Sequence, residues 1–334
     1  MSSYAWSPAD LLQTSGSYWS ACTLHAAVKL DLFTPLSVTP LAAGQLADRC
    51  QLDERGLTML LDALTALFLL DKEAGAYRAT PFASQYLSRD SEDYLGHIIM
   101  HHHHLVDSWS RLDESVRSGR PSRKRVSHDA ADEERESFLL GMYNLARMIA
   151  PQVAARVDLT GRRHLLDLGG GPGTYAIHFC RENPELQATV FDLPGTRPIA
   201  EQTIRQFGMQ QRIDFLPGDF QTDPVAGEYD VAWLSHVLHG EDPVGCATMV
   251  DKAVATLVPG GLLLVQEFIL DDTRTRPLFP ALFSLNMLLG TPSGQAYSAR
   301  EIKQMLSAAG LGQVRRLPIS LPNGAGVICG EKSA

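Results

Sequence analysis

Near the middle of the chain, the run Asp167-Leu168-Gly169-Gly170-Gly171-Pro172-Gly173 follows the apolar Leu165-Leu166 and reads as a buried strand ending in a glycine-rich turn. Glycine admits backbone conformations that a Cβ forbids and lets a ligand lie against the main chain, while the helix that follows presents free N–H groups. The chemistry such a turn serves is the holding of a nucleotide-like group. Thr174 to Cys180 has helical spacing, and Ala188-Thr189-Val190-Phe191 makes a second strand ending at Asp192. The unit is therefore βαβ, with an acid placed to accept both ribose hydroxyls. Farther on, Gly218-Asp219-Phe220 sets an acid and an aromatic after a third strand, Ile213 to Leu216, a pair suited to an adenine. A second constellation is the run His101-His102-His103-His104. On a helix, His97, His101 and His104 share one face, a spacing at which imidazoles can share a metal. No carboxylate or cysteine is fixed beside them by sequence, so imidazoles lining a pocket or facing solvent are expected, and no metal.

The elements that must position these groups follow in order. By itself the βαβ unit admits NAD, but Asp167 precedes the glycines and no G-x-G-x-x-G closes, which favours S-adenosylmethionine. A fourth strand, Tyr229 to Leu234, leads to Ser235-His236-Val237-Leu238-His239, and a fifth, Gly261 to Glu267, follows Pro259-Gly260.

With these motifs in this order, the chain resembles the class I S-adenosylmethionine-dependent methyltransferases. More narrowly, it resembles the two-domain small-molecule O-methyltransferases of the plant caffeate and bacterial polyketide type. The resemblance covers nearly the whole chain and rests on Asp167 to Gly173, Phe191-Asp192-Leu193-Pro194, Gly218-Asp219-Phe220, Val237-Leu238-His239 and Pro259-Gly260-Gly261. It implies an α/β fold, a Rossmann-like sheet preceded by a helical, winged-helix dimerisation domain. The expected division is 1–95 for dimerisation, 96–157 for linking helices and 158–334 for the catalytic domain. The cofactor would be held by Asp167, Gly169, Gly171, Asp192, Leu193, Asp219, Phe220 and Ser235. His239 matches the family's general base, since a phenol becomes a good nucleophile only as its proton leaves and imidazole titrates near working pH. Glu267 matches the acid that orients that base. The acceptor pocket would be walled by Met100, His101 and His104, by Phe138 and Met142, and by Phe283 and Met287; apolar and methionine-rich linings accept flat rings. The chain departs from the family where Gly240 replaces an acid after the base, where Ser235 replaces a common lysine, and where Gln295 stands near a second orienting acid. A C-methyltransferase, or a decarboxylase or hydroxylase of the same fold, is the alternative within the fold.

Composition fits two cores: 334 residues, 45% hydrophobic. The net charge of −9 disfavours nucleic acid, which needs clustered cations. Five cysteines without a C-x-x-C pair suggest neither disulfides nor zinc, hence a reducing cytoplasm. No leader and no apolar run of membrane length appears.

In the first 95 residues, helical patterns at Trp19 to Leu30, Ala42 to Arg49 and Arg55 to Leu69, then two short strands, suggest a winged helix. A ligand-sensing DNA-binding regulator is the rival from another class, but acids outnumber the six cations there. By resemblance, this domain makes a homodimer. The basic Ser118 to Arg125 reads as a solvated loop.

Overall fold

The computed structural model describes residues 5–126 and 132–333. They form two compact units, Met1–Val106 and Asp107–Ala334. The linking helices anticipated over 96–157 are divided between them, because the helix Gly96–Ser110 runs through the boundary.

The first unit is helical with a small sheet. Helices Tyr18–Lys29, Phe33–Val38, Ala43–Cys50 and Glu54–Ala66 bury one side each, with Phe33, Leu36, Leu46, Leu61 and Leu64 fully enclosed. Asp53 starts the helix Glu54–Ala66 by accepting from Gly56 N at 2.7 Å. The strands β1 (Leu41–Ala42), β2 (Leu70–Glu73) and β3 (Ala76–Ala79) pair in the order β1-β3-β2. β2 and β3 are joined by the two-residue turn Ala74-Gly75, both left-handed as a tight hairpin requires. This is the expected wing. The helix read as running to Leu69 stops at Ala66, because Phe68 turns left-handed at φ 60° and Leu69 N closes back on Leu64 O.

The second unit is a sheet covered on both faces. Its strands are β4 (His164–Leu168), β5 (Gln187–Asp192), β6 (Ile213–Pro217), β7 (Tyr229–Ser235), β8 (Leu257–Leu270), β9 (Tyr297–Ser298), β10 (Leu311–Arg316) and β11 (Ala325–Lys332). They run β10-β11-β8-β7-β4-β5-β6, with β9 beside β8. From β8 to β6 every pairing is parallel, and β11 and β10 close the sheet antiparallel. One face packs on the helices Asp132–Ala154 and Thr174–Glu182, the other on Pro243–Thr256 and Ala299–Ala308. Burial on both faces explains the apolar strands. β8 is longer than expected, since pairing already begins at Leu257, ahead of Pro259-Gly260. β5 and β6 lie to one side of β4 while β7 lies to the other, and the crevice at such a reversal is where α/β sheets bind ligands.

Candidate active site

At the carboxyl end of β4 the backbone turns through Gly169, Gly171 and Gly173, all left-handed (φ 71°, 54° and 76°), so side chains there would be strained. The turn is tied to the next strand: Gly169 N donates to Phe191 O at 2.8 Å, and Gly171 N to Asp192 Oδ2 at 2.7 Å. The other oxygen of Asp192 accepts from Leu193 N at 2.7 Å and from the Thr196 hydroxyl at 2.9 Å. This carboxylate is therefore fixed beside the glycine turn, with Leu193 next to it.

Asp167 is 1% exposed. Its Oδ2 accepts from Ala176 N at 3.3 Å, whereas its Oδ1 is buried with no hydrogen-bond partner. Burial pushes its pKa up to about 7; the Ala176 bond opposes this and the charge of Asp192 adds to it. A buried acceptor of this kind suits a cationic ligand group.

Phe220 borders the turn, since a Cβ on Gly169 would lie 3.4 Å from its ring and 2.6 Å from Val237 Cγ1. The loop carrying Asp219 and Phe220 is pinned by Lys252, whose Nζ donates to the carbonyls of Phe220, Gln221 and Asp223 at 2.8, 2.8 and 2.9 Å. Asp219 Oδ1 accepts from Gln221 N at 2.8 Å within that loop. Sequence does not point to Lys252, as its helix position gives no sign that it reaches three carbonyls. The cradle of glycines, the two oxygens of Asp192, the orphaned Asp167 oxygen and the Phe220 face together fit S-adenosylmethionine.

β7 ends in a second cluster. Ser235 pairs with Gln266 across β7 and β8, so whatever follows Ser235 lies beside Glu267. His239 Nδ1 is 2.9 Å from Glu267 Oε2, and His239 N donates to Glu267 Oε1 at 3.3 Å. Glu267 is 2% exposed. Burial alone would raise its pKa, but His239 and His236 override this by charge and hydrogen bonding and hold it below the usual carboxylate range.

Nothing in the local sequence gives His236 a part in the site. It is left-handed at φ 55°, uncommon outside glycine, and its Nδ1 lies 3.6 Å from Glu267 Oε2. Its Nε2 lies 3.0 Å from Gln266 Nε2, which is also 2.6 Å from the Tyr175 hydroxyl. Ser235 bonds that same hydroxyl, whose pKa burial pushes up to about 12. The H-x-x-H spacing at 236 and 239 was the available signal, but it shows nothing of a shared carboxylate.

The turn carrying His239 is held from outside. Cys246 Sγ lies 3.1 Å from Leu238 O, the Tyr297 hydroxyl donates to Glu241 O at 2.6 Å, and Asp242 caps the next helix through Gly245 N. Gly240, the departure from the family's acid, sits where a Cβ would meet Arg125 Nη2 at 2.9 Å, and Arg125 pairs with Glu241 at 2.7 Å. The basic loop read as solvated thus turns inward. Arg123 donates to Ser108 Oγ and to both oxygens of Asn286 at 3.1 Å, and burial lowers its pKa to about 10. Gln295 accepts from Arg274 at 2.8 Å.

Of the expected pocket wall, Phe283 stands edge-on to His239 with centroids 4.7 Å apart, and Phe268 and Phe279 extend this aromatic face. Met287 is buried on the same helix, Leu278–Gly290. Phe138 and Met142 are half-buried one turn apart on Asp132–Ala154. Met100, His101 and His104 belong to the first unit, where Met100 packs against its core and His101 is buried. In the histidine run, His103 contacts the His25 ring and lies 3.2 Å from Lys29 Nζ.

A profile of the O-methyltransferase domain matches residues 109–312, and one of the O-methyltransferase dimerisation domain matches 12–89. The chain is 35% identical to the 3-hydroxy-5-methyl-1-naphthoate 3-O-methyltransferase of Streptomyces sahachiroi, over 98% of this chain and 96% of that one. It is 34% identical to the tetracenomycin polyketide synthesis 8-O-methyl transferase TcmO of Streptomyces glaucescens, over 95% of each. Among solved structures, human N-acetylserotonin methyltransferase in complex with SAM superposes with a TM-score of 0.86 at 28% identity, covering 100% of both chains.

Proposed function

The chain belongs to the S-adenosylmethionine-dependent O-methyltransferases, and from that premise we propose that it methylates a hydroxyl of an aromatic or polyketide-like small molecule in secondary metabolism, with His239 as base. The observation that carries this reading is the 2.9 Å contact between His239 Nδ1 and the buried, ionised Glu267. A carboxylate accepts from Nδ1–H, so the neutral ring keeps its lone pair on Nε2. Nε2 then takes the acceptor's hydroxyl proton as the oxygen becomes nucleophilic. When bound, S-adenosylmethionine supplies a methyl group already activated on a sulfonium. Asp192 and the Gly169 to Gly173 turn bind the nucleoside, with Leu193, Asp219 and Phe220 alongside. Asp167 provides the buried acceptor for a cationic group, and Ser235 steadies Tyr175. Phe283, with Phe138, Met142 and Met287, orients a flat acceptor. Orientation supplies much of the rate, up to roughly 7–11 kcal/mol in favourable intramolecular systems.

We also assign a homodimer to the first unit, supported by the dimerisation-domain match and by Leu11, Leu12, Tyr18 and Trp19, which the single chain leaves exposed. No helix among the described residues is long and apolar enough to cross a membrane. Five unpaired cysteines support a reducing cytoplasm.

The test is incubation of a phenolic and polyketide panel with methyl-labelled cofactor, comparing the parent enzyme with His239→Ala. Label on oxygen, lost in the variant while cofactor binding persists, is the expected result. Label on carbon that survives His239→Ala removes the histidine from the reaction and makes the enzyme a C-methyltransferase.

A further inference from the structure

Glu267 serves two imidazoles, and only one is needed to prepare a base. His236 Nδ1 is buried, and its contact with Glu267 Oε2, at 3.6 Å, is longer than a good hydrogen bond. One ligand atom from each of His236, His239 and Glu267 lies within 4.8 Å of the other two, a grouping found nowhere else among the described residues.

We propose that His236, His239 and Glu267 form an inhibitory site for a borderline divalent cation of the Zn2+ class, which shuts off the base by occupying His239 Nδ1. The donor set fits: two imidazoles and one carboxylate bind zinc with a fourth position left open. The spacing also fits. Nitrogen and oxygen ligands about 2.0–2.1 Å from a tetrahedral ion stand about 3.3 Å apart. The two observed separations, 2.9 Å from His239 and 3.6 Å from His236, bracket that value. The harder Mg2+ and Ca2+ prefer all-oxygen shells and are excluded by the same donors.

The ligands are already held in place. His236 is turned inward by its left-handed backbone and packs on Phe268, with ring centroids 4.3 Å apart, while His239 lies against Phe283.

The proton balance closes within the site. A neutral imidazole has one lone pair, so a metal on His239 Nδ1 moves the ring proton to Nε2, the atom that must otherwise accept the substrate's proton. On His236 the same exchange puts a proton on Nε2, facing Gln266. The Gln266 amide rotates to receive it with Oε1, an atom now buried without a partner. No proton is lost, and Nε2 of His239 can no longer act as a base.

The experiment titrates the purified enzyme with Co2+ as the spectroscopic probe and follows visible ligand-field absorption, in the parent, His236→Asn and Glu267→Gln. Calorimetric binding of S-adenosylmethionine checks that each variant is folded. The expected result is one Co2+ per chain with four-coordinate bands, displaced by Zn2+, and affinity lower by about tenfold or more in both variants. No bands at millimolar Co2+, or bands unchanged in both variants, overturn the site. So do bands that vanish only on replacing His102 and His103, which would put the metal on the histidine run. In the labelled-methyl assay, Zn2+ should inhibit and a chelator should restore transfer. This second arm rests on His239 being the base. Triad-dependent bands with unimpaired transfer overturn the inhibitory role and point to a wrong base assignment, whereas absent bands count against the site alone.

Discussion

At the level of single residues, burial governs the acid of one half of the site and neighbouring imidazoles govern that of the other. Asp167 is held near pKa 7 by burial, against an ordinary value of 3.8. Because the folded value lies above the unfolded one, its contribution favours the ligand-free fold at low pH and is lost as pH rises from about 4 through about 7. A cationic cofactor favours the carboxylate instead. S-adenosylmethionine affinity should therefore increase from pH 5 to about 7 and then level off, with proton release on binding seen by calorimetry in buffers of different ionisation enthalpy. A flat affinity across that range would remove Asp167 from the cation site. Asp192 makes a plainer case. Its oxygens join the glycine turn, Leu193 and Thr196, and hydrogen bonds to a charged group contribute about 1.5–3 kcal/mol each. Asp192→Ala should weaken cofactor binding by roughly ten- to a hundredfold, on the same scale. Equilibrium dialysis giving the parent affinity would shift the ribose contact elsewhere. Glu267→Gln carries a third expectation. An amide presenting N–H to His239 Nδ1 stabilises the tautomer that protonates Nε2, so kcat should fall far more than cofactor affinity, as steady-state kinetics would show.

At the level of elements, the loops matter more than the strands. The strands did little beyond what their apolar patterns announced. The loop of Asp219 and Phe220 depends on Lys252, which lies on the helix Pro243–Thr256 and gathers three carbonyls. Lys252→Met keeps the stem but removes the donors, at a cost of about 1–3 kcal/mol for the groups left unsatisfied. The loss should appear mainly as a higher KM for S-adenosylmethionine, with a smaller effect on kcat. An unchanged KM would mean that the loop holds its shape unaided. Local sequence is silent where the elements end or begin unexpectedly. Nothing in Thr65-Ala66-Leu67-Phe68-Leu69 marks Phe68 as the left-handed stop, since no glycine stands there. Pro259-Gly260 looks like a strand start, yet β8 already pairs at Leu257.

At the level of the molecule, the first unit has a full core of its own and still exposes apolar side chains at its start. Leu12 is 72% and Trp19 69% exposed. Burying such side chains is worth about 1.5–3 kcal/mol each, a contribution that favours association of subunits. Leu12→Glu combined with Trp19→Glu should convert a dimer into a species near the 36.5 kDa chain mass in light scattering at micromolar protein. A parent protein that already scatters as a monomer would end the dimer proposal.

The sequence alone determined the βαβ unit, the glycine turn with its acids, and the succession of β4 to β8 along the chain, because each depends on residues close together in the chain and on a short repeat of apolar positions. From these it also yielded the family resemblance, and through it His239 and Glu267. Tertiary structure decided how the pieces meet. Glu267 reaches the His239 ring because β7 and β8 are parallel neighbours with Ser235 opposite Gln266. His236 joins them through one backbone rotation, Lys252 reaches a loop on another element, and Arg123 and Arg125 fold inward from a loop that looked solvated. Such contacts follow from the packing of distant elements, and a side chain's type and spacing do not say which buried partner packing will bring to it.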